Sequence, residues 1–181
     1  VQMTISSRVF QPLYGVFGVA VMLSCGITNL SMLPELVYSQ RTPFVTTIGV
    51  CFRDSSDTLV QAHTLYFPHV SPAVECEAST LLVALQIAVE SGYAQVNFES
   101  DCQTVVNAIT NSDAYDNELD TILTSCRSLI SSNASYNLAF IRRQANRVVH
   151  NLARASIFQS SPGIFYYPPH CIDTIIRDEI N

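Results

Sequence analysis

Two acidic residues stand where phosphate chemistry could be done: Glu77, in Glu75-Cys76-Glu77-Ala78, and Asp101, in Phe98-Glu99-Ser100-Asp101-Cys102. Carboxylates that converge from separate elements at the edge of a sheet can hold Mg²⁺, a hard cation that takes oxygen ligands and keeps waters for a substrate phosphate to displace. Such a pair is half of a two-ion phosphodiester hydrolase site. Spacing alone leaves both residues humbler roles, Glu77 as a first-turn acid favourable to a helix dipole and Asp101 as a helix cap. Further along, Arg142, Arg143, Arg147 and Arg154 crowd into one stretch of a chain whose formal net charge is −6. That total argues against a broadly basic nucleic-acid surface, yet a local arginine cluster still docks a phosphate backbone.

The elements that must position these residues are legible from periodicity. Phe44 to Arg53 and Thr58 to Phe67 are β-branched runs joined by Asp54-Ser55-Ser56-Asp57, which predicts a hairpin ended by Pro68 and Pro72. Glu77 then opens a helix whose apolar residues Ala78, Leu81, Leu82, Leu85, Ala88 and Val89 share one face, with Gly92 as its stop. Val96 to Glu99 reads as a short strand, and Ser100 or Asp101 as the cap of a helix carrying Val105, Val106 and Ile109. A helix with Leu119, Ile122, Leu123, Cys126, Leu129 and Ile130, a strand from Tyr136 to Ile141 and a helix from about Ala145 to Phe158 follow. The order β-β-α-β-α-α-β-α gives an α/β domain, a mixed sheet flanked by helices, with an opening strand unaccounted for.

Four strings carry a resemblance. Ile48-Gly49-Val50-Cys51-Phe52-Arg53-Asp54, Glu77-Ala78, Val96-Asn97-Phe98-Glu99-Ser100-Asp101-Cys102 and the run Arg142-Arg143-Gln144-Ala145-Asn146-Arg147-Val148-Val149-His150-Asn151-Leu152-Ala153 resemble, in that order, the plant ribonuclease H-like family. This is the domain found alone or at the end of plant retrotransposon reverse transcriptases. The resemblance implies a ribonuclease H-like mixed sheet of five strands, a site for Mg²⁺ or Mn²⁺, and hydrolysis of the RNA strand of an RNA–DNA hybrid. It assigns Glu77 and Asp101 as metal ligands. His150 stands where the family generally has a further aspartate, as a neutral ligand or proton carrier, with a partly exposed helical histidine as the alternative. Arg142, Arg143, Asn146 and Arg147 become candidates for the nucleic-acid backbone; Asn146 could instead fix the strand–helix turn.

The first strand departs from the family, which places a bridging aspartate there. Ahead of Asp54 the chain's only acid is Glu35, and Pro34 beside it is awkward in a central strand. The expectation is therefore a first strand degenerate or missing, with impaired catalysis, and the alternative function is an inactive ribonuclease H-like module that binds nucleic acid or protein. The resulting division is an atypical apolar segment 1–42, a ribonuclease H-like domain 43–158 and an irregular extension 159–181.

With 48% hydrophobic and 13% charged residues, the 181-residue chain is not of a disordered class. Leu13 to Cys25 is apolar, but it is shorter than the roughly 20 residues a spanning helix needs and is interrupted by glycines. A membrane or secretory role for it is the minor reading, and an intracellular location the favoured one. The six cysteines, without C-x-x-C or zinc spacing, read as reduced thiols.

Overall fold

The apolar run that the sequence reading leaves outside the domain contributes, through Val19–Asn29, an interior strand of the sheet. The computed structural model describes residues 19–29, 44–67, 71–112, 118–155 and 162–180. In it, β1 (Val19–Asn29) pairs antiparallel with β2 (Phe44–Arg53) and parallel with β4 (Val96–Ser100). Val21 and Leu23 have no exposed surface. A central strand covered on both faces has no reason to alternate apolar with polar residues, so its sequence resembles a membrane or signal segment. The sheet thus reaches well to the N-terminal side of residue 43. Glu35 lies outside the described residues, as do residues 13–18 of the apolar run. Among the described residues no helix is long and apolar enough to cross a membrane.

β2 and β3 (Leu59–Phe67) form the expected hairpin. Asp54 closes its turn, one carboxylate oxygen accepting from the backbone N–H groups of Ser56 and Thr58. β4 runs parallel to β5 (Tyr136–Phe140) at one edge. At the other edge the sheet gains a sixth strand, β6 (Gly163–Phe165), antiparallel to β3, giving the order β5-β4-β1-β2-β3-β6 in place of the five strands expected. The C-terminal extension is therefore not irregular. Three residues are too few to show alternation, and the helix α5 (His170–Ile180) starts just after Pro168 and Pro169, where a missing N–H costs nothing. The Pro169 carbonyl accepts from Ile172 and Asp173 to open that helix.

One face of the sheet packs against α1 (Ala73–Glu90), α2 (Gln103–Asn111) and α3 (Glu118–Ser131), burying Leu81, Leu85, Phe98, Val105 and Leu123. The other is covered by α4 (Arg147–Ala155) and α5, around Cys51, Val149, Leu152 and Ile172. Gly92, at φ +70°, supplies the left-handed residue beyond the end of α1. Gly49 has a different task. A Cβ there would stand 2.5 Å from the Val149 carbonyl oxygen and 2.9 Å from the Ala153 nitrogen, so only glycine lets α4 lie this close to β2.

The thiols depart from expectation at Cys76, which is disulfide-bonded. Cys51, Cys102, Cys126 and Cys171 are reduced thiols, and burial pushes the Cys126 thiol up to about 12.

A buried polar chain crosses the α1 side of β3. The Gln61 amide donates to Tyr93 Oη (2.9 Å) and Ser91 Oγ (3.2 Å), so its oxygen accepts, and His63 Nε2 lies 3.1 Å from it. His63 is therefore neutral with its proton on Nε2, and burial lowers its pKa to about 4. Unfolding returns it to the ordinary value near 6.5, so the unfolded chain binds more protons between these values. The stabilisation is complete above about pH 6.5 and is lost as pH falls toward 4, about 3 kcal/mol in all. Urea unfolding followed across that interval should show the loss in wild type and a flatter profile in His63→Gln; identical profiles would remove His63 as its source.

Candidate active site

Asp101 is aimed by the end of β4. The Ser100 carbonyl accepts from Ile141 N (2.9 Å), and Ser100 Oγ accepts from Cys102 N (3.1 Å), which fixes the turn between strand and α2. Cys102, not Ser100 or Asp101, occupies the N-cap of α2, and no side chain caps it. Asp101 is thus no helix cap. Its side chain is 6% exposed and turns toward α4.

There it meets two donors. Asn146 Nδ2 donates to Asp101 Oδ1 at 2.7 Å and to the Leu23 carbonyl of β1 at 2.6 Å. His150 Nε2 lies 3.2 Å from Asp101 Oδ2. A carboxylate can only accept, so the neutral imidazole carries its proton on Nε2. Burial holds the His150 pKa below its ordinary value, Arg143 adding to the depression and Asp101 opposing it. Arg143 reaches to 3.8 Å of Asp101 Oδ2 with a side chain 74% exposed, a loose solvated pairing.

Asn146 is completely buried, in the short 3₁₀ turn Arg143–Asn146 that precedes α4. An amide with no surface cannot touch a phosphate backbone, so the contact role expected for Asn146 gives way to its other reading, fixing this turn. It ties three elements together: β1 through Leu23, the end of β4 through Asp101, and α4 through its own position. This was missed from sequence because its partner strand was not recognised. Arg142, Arg143 and Arg147 are all exposed around the same turn.

Glu77 lies in the second turn of α1, because the helix begins at Ala73, four residues earlier than expected; the first-turn acid is Glu75. Pro72 sets that start, its carbonyl accepting from Cys76 N. One carboxylate oxygen of Glu77 is buried. Cys102, which sequence reasoning passed over, lies within electrostatic range of both carboxylates. Burial raises the pKa of that half-buried thiol, and the charges of both Glu77 and Asp101 add to the rise.

Glu77 and Asp101 carry the hard oxygen donors that a divalent cation takes. Two carboxylates suffice for an ion that completes its shell with water and substrate oxygens. Asp101 has roughly four lone-pair positions, of which Asn146 and His150 take two. They do not fit an ion pair bridged from the first strand, because Val19–Asn29 contains neither Asp nor Glu. The parallel register ends at the Leu23–Ser100 pair, so Ser24 is the next residue of β1 and Asp101 the first residue past β4. Among the described residues no group of three His, Cys, Asp or Glu side chains assembles that could hold a metal.

The fold is shared with ribonucleases H. The RNase H1 of Halobacterium salinarum NRC-1 superposes with a TM-score of 0.64 at 17% identity, over 78% of this chain and 98% of that one. The N-terminal RNase H domain of a Mycobacterium tuberculosis protein gives 0.62 at 16%, over 78% and 94%. LC11-RNase H1, from compost, solved in complex with an RNA/DNA hybrid, gives 0.60 at 12%, over 76% and 94%. At these identities the likeness is one of fold. No curated protein matches the chain. Residues 38–156 match the reverse transcriptase-like family, and with that match spanning most of the sheet and α1 through α4, the chain belongs to that family.

Proposed function

We propose that this chain binds RNA–DNA hybrids and hydrolyses the RNA strand with a single divalent ion, Mg²⁺ or Mn²⁺, held by Glu77 and Asp101. The observation that carries the reading is the Asp101 carboxylate at the carboxyl end of a parallel strand, oriented by Asn146 and His150. Ligands of α/β sheets gather at that end of the strands. The hybrid bound by LC11-RNase H1 supports the choice of substrate.

Such an ion supplies neutralisation of the phosphate and activation of a water. The chain's own residues do the rest. Arg142, Arg143 and Arg147 neutralise backbone phosphates, Asn146 keeps Asp101 at one angle, and His150 holds a proton at Nε2 against it. Kinship with the plant and retrotransposon branch rests on the four sequence strings, and an intracellular location follows from the substrate.

A second reading, hybrid binding without cleavage, is favoured by the acid-free first strand. One assay separates the two. Hybrid cleavage with Mg²⁺ or Mn²⁺ should be measurable in wild type and fall about 100-fold or more in Glu77→Gln and Asp101→Asn. Equal inertness of all three proteins would end the nuclease reading.

A further inference from the structure

Phe140 is a large apolar side chain in an unexpected place. It ends β5, the outer strand beside β4, and is 40% exposed. Its neighbours on the same face explain the exposure. Tyr136 is 5% exposed and Leu138 is half-buried, so the cover given by α2 and α3 thins along the strand and has run out at Phe140.

Register places Phe140 at the end of its strand level with the end of β4. Phe140 pairs with Ser100, the residue before Asp101. Adjacent strands lie about 5 Å apart, so Phe140 is one strand away from the residue that leads into Asp101. The chain continues from it through Ile141 directly into the exposed Arg142 and Arg143. An exposed aromatic flanked by arginines is the combination that grips single strands, the cations taking phosphates and the ring taking a base. Within a duplex each base is already stacked on its neighbours; only an unpaired base has a face to offer.

We infer that Phe140 is a stacking platform for an unpaired base, so that the preferred ligand is a hybrid continued by a single-stranded tail and not a blunt hybrid. This rests on the hybrid-binding reading above and specifies its substrate class. The chain contains no tryptophan, which makes Phe140→Trp a clean optical probe.

The test measures binding of full-length protein to a blunt hybrid, a tailed hybrid and a hybrid whose tail carries abasic sites, with Ca²⁺ in place of Mg²⁺ to suppress cleavage. Wild type should favour the tailed hybrid over both others by roughly 5- to 150-fold, the range of one stacked base. Phe140→Ala should bind all three alike. Phe140→Trp should keep the preference and be quenched only by the tailed hybrid with bases. Equal binding of blunt and tailed hybrids by wild type, or an unchanged preference in Phe140→Ala, overturns the inference while leaving hybrid binding intact. A preference that survives in the abasic tail assigns it to the arginines and likewise overturns it. Failure of wild type to bind any of the three overturns both this inference and the reading beneath it.

Discussion

Gly49→Val should destabilise the chain by about 3 kcal/mol, the upper range for forcing bulk into a packed interior, and should weaken the site as it does so. The atoms that a Cβ meets are the Val149 carbonyl oxygen and the Ala153 nitrogen, both backbone, so no side chain can swing aside. α4 itself must lift from β2. His150 follows Val149 on that helix and Asn146 immediately precedes it, so the lift draws both donors away from Asp101. Denaturant unfolding gives the stability loss, and hybrid cleavage of the fraction still folded gives the effect on the site. Gly92→Ala is the control. Space is open there and only the positive φ is strained, so the loss should be about 1–2 kcal/mol with the site untouched. If Gly49→Val proved no worse than Gly92→Ala, the close approach of α4 would not be a constraint.

Ser24→Asp should raise hybrid cleavage by roughly 10- to 100-fold, the scale on which a positioned ion stabilises a transition state. Position 24 follows Leu23, whose carbonyl is already tied to Asp101 through Asn146 and which forms the last pair of the parallel register with Ser100. A carboxylate there would supply the first strand with the acid it lacks. The cost is repulsion between two carboxylates, which a divalent ion relieves. The variant should therefore melt below wild type in EDTA and recover with Mg²⁺, since an ion that binds only the folded state stabilises it. Wild type should respond less to the same addition. No gain in cleavage, together with no Mg²⁺ response in melting, would show that position 24 does not face the ion.

How much of this could be read beforehand depended on whether a signal was local. The hairpin, α1, α3 and β5 each carry their period in their own residues, and Asp54 marks its turn by type. β1 carries no period, because burial on both faces removes the need for one, and its apolar run imitates segments that serve other purposes. β6 is too short for a pattern and is made a strand by β3. At the candidate site, Glu77, Asp101 and His150 were singled out through recognisable strings. The alternative roles of the first two needed coordinates to decide: α1 starts four residues before Glu77, and Cys102 takes the cap position. Asn146 was visible in its string but its bond to Leu23 joins residues 123 positions apart, a relation that no spacing rule contains.

The late strand β6 has a consequence for how safely this molecule can exist in solution. Without it, β3 would present nine residues of β-rich sequence, Leu59–Phe67, along an open margin. Such a margin invites another chain to add a strand and begin an aggregate. By folding three residues back across Ala62, His63 and Thr64 and anchoring them with α5, the tail guards that margin. A chain cut short before Gly163 would keep every candidate catalytic residue and lose its protection against self-association.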